Sequence, residues 1–83
     1  HPLPDDAAYV QELRRLVAHA IHELPAKYRQ VVLLRELEEL SVAETAAVLE
    51  VSEEVVKTRL HRARAALRKA MERAGVLSPS ARQ

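Results

Sequence analysis

The chain has 83 residues, 48% of them apolar, with two Tyr, no Phe or Trp, one Gly, four Pro and no Cys. That suffices for one small domain with a core of Leu, Val, Ile and Ala, and it excludes disulfides, thiolate chemistry, zinc fingers and glycine-rich phosphate loops. The net charge of +1 is the difference of two unlike parts: residues 1–50 hold five basic and nine acidic residues, and residues 51–83 hold eight basic and three acidic. A basic part of this kind is expected to face a polyanion. No apolar run approaches the roughly 18 residues of a membrane span, and no signal-peptide pattern occurs, so a cytoplasmic location without a membrane partner is expected. The sequence opens with His1 rather than Met and reads as a piece of a longer protein, with His1-Pro2 a remnant of cloning.

Four helical segments follow in chain order, which predicts an all-α domain. The first begins after Pro4-Asp5-Asp6, acids that suit a helix N-terminus. Its apolar positions Val10, Leu13, Leu16, Val17, Ala20, Ile21 and Leu24 keep the 3–4 spacing of one buried face, and Pro25 closes it near Glu23. The second opens at Pro25. Tyr28, Val31, Val32, Leu33, Leu34 and Leu37 cover much of its circumference, which places it at the centre of the domain. Glu36, Glu38 and Glu39 mark its end and the turn after it.

The third segment is short. Ser41 stands three residues before Glu44, the spacing of a capping box, and Ala43, Ala46, Ala47, Val48 and Leu49 fill the helix up to Glu50. Ser52 is the next N-cap, with Glu53 and Glu54 favoured in the first turn by the helix dipole. This fourth helix is expected to run to about Arg73 and to stop at Gly75, with Pro79 beyond. The expected organisation is a compact four-helix domain over residues 1–75 and a flexible tail over 76–83.

A short capped helix, a tight turn and a longer basic helix form a C-terminal helix-turn-helix over about residues 41–73. Its first helix braces the phosphate backbone, and its second enters the major groove of DNA. Ala46 supplies the small residue where the helices cross, and Leu49, Val51, Val56 and Leu60 lock them. From Lys57 to Lys69 there are six basic residues and no acid. On a helical wheel Val56, Leu60, Ala63, Leu67, Ala70 and Ala74 lie on one side, and Lys57, Thr58, His61, Arg62 and Ala65 on the other. Thr58, His61 and Arg62 are therefore placed to read base edges, and Lys57 to reach a phosphate or a purine. Arg59 and Arg64 sit on the flanks, suited to phosphates or to intramolecular carboxylates, and Arg68 extends the phosphate-facing set.

The stretch "LPAKYRQVVLLRELEELS" resembles the segment that precedes the helix-turn-helix in region four of extracytoplasmic-function bacterial sigma factors. "VKTRLHRARAALR" resembles their recognition helix. The likeness runs from Leu24 to Met71, over half the chain. It implies a promoter-recognition domain of an alternative sigma factor, acting in transcription initiation. It further implies binding of the minus-thirty-five promoter DNA element and of the RNA polymerase β flap, and sequestration by an anti-sigma factor. The base-contacting positions of the family map to Lys57, Thr58, His61 and Arg62, and its polymerase-facing surface maps to helices one to three around Val31, Leu34 and Leu37. Glu50 stands where the family often has Gly, Thr45 where a larger aliphatic residue is common, and Glu53 and Glu54 place acids near DNA. A positive φ at Glu50 costs about 1 kcal/mol more than at Gly.

The remaining polar residues carry no chemistry of their own. His19, His22 and Glu23 share a face without a third ligand nearby and read as exposed helix residues, so neither a metal nor another cofactor is expected. His61 has no nucleophile or orienting acid beside it, and Glu38-Glu39 read as a helix end, so neither an enzyme nor a small-molecule substrate is expected. The competing class is a sigma-like interaction module, bound by an anti-sigma factor or other partner without sequence-specific DNA reading. Glu50, Glu53 and Glu54 favour it.

Overall fold

The computed structural model describes residues 6–76, and these form helices α1 (Ala7–His22), α2 (Ala26–Val32), α3 (Val42–Leu49) and α4 (Glu53–Arg73). Among the described residues there is no strand. Residues 1–5 and all of the expected tail but Val76 lie outside the described residues.

Local chemistry sets most helix ends where the sequence places them. The Asp6 carboxylate accepts from the Tyr9 amide at 3.0 Å and starts α1. Ser41 and Glu44 form the reciprocal capping box: the Glu44 amide donates to Ser41 Oγ at 3.0 Å, and the Ser41 amide donates to Glu44 Oε1 at 2.8 Å. Ser52 Oγ accepts from the Val55 amide at 3.1 Å and starts α4. At the far end of α1, Arg29 Nη1 donates to the carbonyls of His22 at 2.8 Å and Leu24 at 3.2 Å. It thereby satisfies acceptors that a terminating helix leaves unpaired.

Two helices end in the same motif with different residues. At the end of α3 the Val51 amide donates to the Ala46 carbonyl and the Glu50 amide to the Ala47 carbonyl, with Glu50 left-handed at φ 58°. At the end of α4 Val76 and Gly75 repeat these bonds onto Met71 and Glu72, with Gly75 at φ 88°. Both are Schellman closures. The positive φ expected at Glu50 is present.

The second helix departs from expectation. After Val32 the chain widens into a π-helical turn, Leu33–Leu37, in which the Glu38 amide reaches back five residues to the Leu33 carbonyl at 2.9 Å. Glu39 then turns left-handed at φ 58°. The inserted width shifts the side chains after Val32 off the register of an α-helix. The second helix is central only in its first part. Val31 and Val32 are buried, while Leu33 is 36% and Leu37 62% exposed.

The core gathers Leu24, Val31 and Val32 against Leu60 and Ala63 of α4, with Ile21, Tyr28, Leu49 and Leu67 packed around them. Val56 and Ala63 are fully buried, Leu60 is 6% exposed, and Ala46 lies buried in α3. Each fully buried Val or Leu contributes about 1.5–3 kcal/mol. Val31, expected on the polymerase-facing surface, is instead 0% exposed and serves this core. It is removed from that surface. Thr45 is also fully buried, and its Oγ1 has no hydrogen-bond partner among the described residues.

Candidate nucleic-acid interface

The apolar stripe of α4 fixes the helix against α2 and α3, and this determines which side remains outside. Val56, Leu60, Ala63 and Ala70 are buried, whereas Lys57, Thr58, His61, Arg62 and Ala65 are all exposed. The division follows the 3.6-residue period from Val56 to Ala70, with Leu67 half-buried between Ala63 and Ala70.

Pairing separates the cations further. Arg64 reaches Glu36 at 3.7 Å, and Arg73 reaches Glu23 at 3.9 Å, both across helices and in solvent. Arg64 thus takes the intramolecular carboxylate as partner. Lys57, Arg59, Arg62 and Arg68 form no ion pair among the described residues. Their charge faces outward, with Glu53 and Glu54 in the first turn of the same helix and Glu72 in its last turn as the acids nearby. An unpaired cation keeps its hydration and mobility until an anion replaces them, which suits phosphate binding with release of counterions.

The base-facing set occupies two successive turns. Lys57 and His61 are four apart, as are Thr58 and Arg62, so the four form one patch across those two turns. Thr58 and Arg62 also line an open cleft of about 270 Å³ between α4 and the start of α2. Lys27 and Tyr28 form the facing wall, with the Lys27 ammonium 5.3 Å from the centre of the Tyr28 ring. Sequence reasoning assigned no role to Lys27, because the pattern of α2 does not show that its first turn lies beside α4.

A second surface has the opposite character. Leu13, Val17, Ala18 and Ile21 of α1 and Leu33 and Leu37 of the π-helical turn line two adjoining hollows of about 360 and 250 Å³. Arg14 and Arg29 stand at their edges. Leu37 belongs to the surface expected around Val31, Leu34 and Leu37. Leu34 is half-buried, and the hollows are instead completed by residues of α1.

Two ordinary pairs of titratable groups lie along α1. His19 Nε2 meets Glu23 Oε2 at 3.2 Å on the exposed side of α1. Hydrogen bonds from Arg15 at 3.0 and 2.8 Å hold the Glu12 carboxyl below its ordinary range. Among the described residues no three His, Asp or Glu side chains converge, and no helix is long and apolar enough to cross a membrane.

Comparison with known proteins adds family evidence to this geometry. The family described as "Sigma-70, region 4" matches residues 14–67. The chain is similar to "ECF RNA polymerase sigma factor SigW" of Bacillus subtilis (strain 168), 45% identical over 67 residues that cover 81% of this chain and 36% of that protein. It is 48% identical over 59 residues to "RNA polymerase sigma-E factor" of Streptomyces antibioticus, covering 71% of this chain and 33% of the relative. With "ECF RNA polymerase sigma-E factor" of Escherichia coli (strain K12) it shares 38% identity over 64 residues, 77% of this chain and 34% of the relative. The chain thus spans about a third of the length of these relatives.

Proposed function

The chain belongs to the sigma-70 region 4 family, and on that premise we propose that it reads the minus-thirty-five promoter element through α4 and docks on the RNA polymerase β flap through its apolar hollows. Region 4 is a DNA-binding transcription domain, not an enzyme. One observation carries the DNA half of the proposal: a face of α4 bearing Lys57, Thr58, His61 and Arg62 stays exposed, with no ion pair among the described residues, while the opposite face anchors the helix.

The physical roles divide by side chain. Arg62 has the planar fork that matches O6 and N7 of guanine, and Thr58 and His61 offer single donors or acceptors to base edges. Lys57 reaches a phosphate or a purine. Arg59 and Arg68 serve phosphates on the flanks, and Arg64 joins them when its exposed pair with Glu36 opens. Such a role belongs in the cytoplasm, where promoter DNA and polymerase are found.

The polymerase half rests on the hollows of α1 and the π-helical turn. Large apolar side chains in adjoining concave patches favour an apolar helix as occupant, and the hollows also offer an anti-sigma factor a place to compete. A purely protein-binding role, without base reading, is the second reading; Glu53 and Glu54 in the first turn of α4 favour it by repelling phosphates.

Enrichment of duplexes from a randomised DNA pool tests the first half, and retention on an immobilised β flap tests the second. A recurrent base pattern in the enriched duplexes is expected. Recovery of unchanged random sequence, beside specific retention on the flap, gives the protein-only reading instead.

A further inference from the structure

Lys27 lies in the first turn of α2, where neither the helix-turn-helix pattern nor the charge of α4 includes it. Its position is nevertheless fixed by the same core. Val31 and Val32 of α2 pack with Leu60 and Ala63 of α4, so the two helices are held side by side. The cleft between them has Lys27 and Tyr28 on one wall and Glu54, Thr58, Arg59 and Arg62 on the other. Thr58 and Arg62, the residues given to base edges in the proposed reading, line this cleft too, so its mouth lies beside the bases they would meet.

Three features suit Lys27 to that strand. It is exposed and forms no ion pair among the described residues, not even with Glu54 across the cleft. Its ammonium lies 5.3 Å from the centre of the Tyr28 ring, a cation–π distance that keeps the long side chain over the cleft wall. Tyr28 packs against the core cluster, which ties that wall to the fold. Glu54 would repel a phosphate at this place, and a cation from a second helix offsets it.

We infer that Lys27 is a DNA-positioning residue that binds a backbone phosphate at the mouth of the α2–α4 cleft, beside the bases met by Thr58 and Arg62. The inference rests on the reading of α4 as the groove helix. It makes the DNA surface a property of two helices: α4 presents the base-facing side chains, and α2 fixes how the duplex is seated over them. A phosphate contact carries no sequence information, so its removal acts equally on all duplexes.

The probe is a fluorescein-labelled, mixed-sequence DNA duplex of about two helical turns, because phosphate binding needs no cognate element. Fluorescence anisotropy over a salt series compares the 83-residue chain with Lys27→Ala and Lys27→Arg. Lys27→Ala is expected to weaken binding most at low salt and to reduce the slope of log K against log salt by about 0.9, one phosphate's worth of counterion release. Lys27→Arg should restore both. A merely structural role would alter thermal stability and leave that slope unchanged.

Because the chain has no cysteine, Lys27→Cys gives a unique attachment point for a photo-crosslinker, and Arg14→Cys in the apolar hollows gives the comparison. Crosslinks to DNA from position 27 and not from position 14 are expected. If the parent binds duplex while Lys27→Ala keeps its affinity and slope, the inference is overturned and the groove reading stands. If the parent binds no duplex at any salt, the groove reading fails and takes the inference with it.

Discussion

The basic face of α4 and the apolar hollows of α1 and the π-helical turn are supported by one core but built on different rules. On α4 the residue that faces solvent at one turn predicts the one that faces solvent at the next: Lys57 with His61, Thr58 with Arg62. The hollows draw on more than one element. Leu33 and Leu37 are also four apart, but the turn between them is π-helical and the wall is completed by Ala18 and Ile21 from another helix. A surface carried by one regular helix can be read from spacing. A surface assembled across an irregular turn needs the packing as well.

The largest expected effect probes what the two surfaces share. Leu60→Ala removes a side chain that is 6% exposed in the common cluster and should cost on the order of 2–5 kcal/mol. Thermal and urea unfolding measure it, and DNA and flap binding should fall together as the folded population drops. Parent-like stability would show that α4 does not rest on this cluster.

Separating the surfaces is the next test. Leu37 is 62% exposed, so Leu37→Asp should change stability by less than about 0.5 kcal/mol while lowering flap retention by an order of magnitude or more. Duplex binding should stay as in the parent. Equal losses on both partners would mean that the hollows and the basic face are one functional surface.

How far the sequence could be read follows the same division. The capping box at Ser41 and Glu44, the start of α4 at Ser52 and the buried stripe Val56, Leu60 and Ala63 were legible because each is a local rule with fixed spacing. The exposed set Lys57, Thr58, His61 and Arg62 follows from that stripe by subtraction. Nothing in "LLREL" signals a π-helical turn, and Glu39 gives no glycine to mark its left-handed φ. Val31 precedes that turn: the family resemblance placed it on the polymerase-facing surface, whereas the apolar pattern of α2 already favoured the core it fills. Lys27 was missed for a related reason: its importance lies in the neighbouring helix.

A smaller effect sharpens the contrast between the two helix ends. Glu50 and Gly75 fill equivalent left-handed positions, but only Glu50 carries a β-carbon there. Glu50→Gly should raise stability by about 1 kcal/mol in urea unfolding. The hollows should bind the flap as before. Unchanged or reduced stability would mean that the Glu50 side chain offsets its own backbone strain.

The central claim is that α4 distinguishes bases and does not merely attract phosphates. Anisotropy titration of the parent and Arg62→Ala against an enriched duplex and its scrambled counterpart, at one fixed salt concentration, tests it most directly. The account predicts that the parent prefers the enriched duplex, and that Arg62→Ala loses about 1–3 kcal/mol on it, with preference relaxed at one base position. Equal affinity of the parent for both duplexes, with no effect of Arg62→Ala, would contradict base reading by α4 and leave the domain as a protein-binding module.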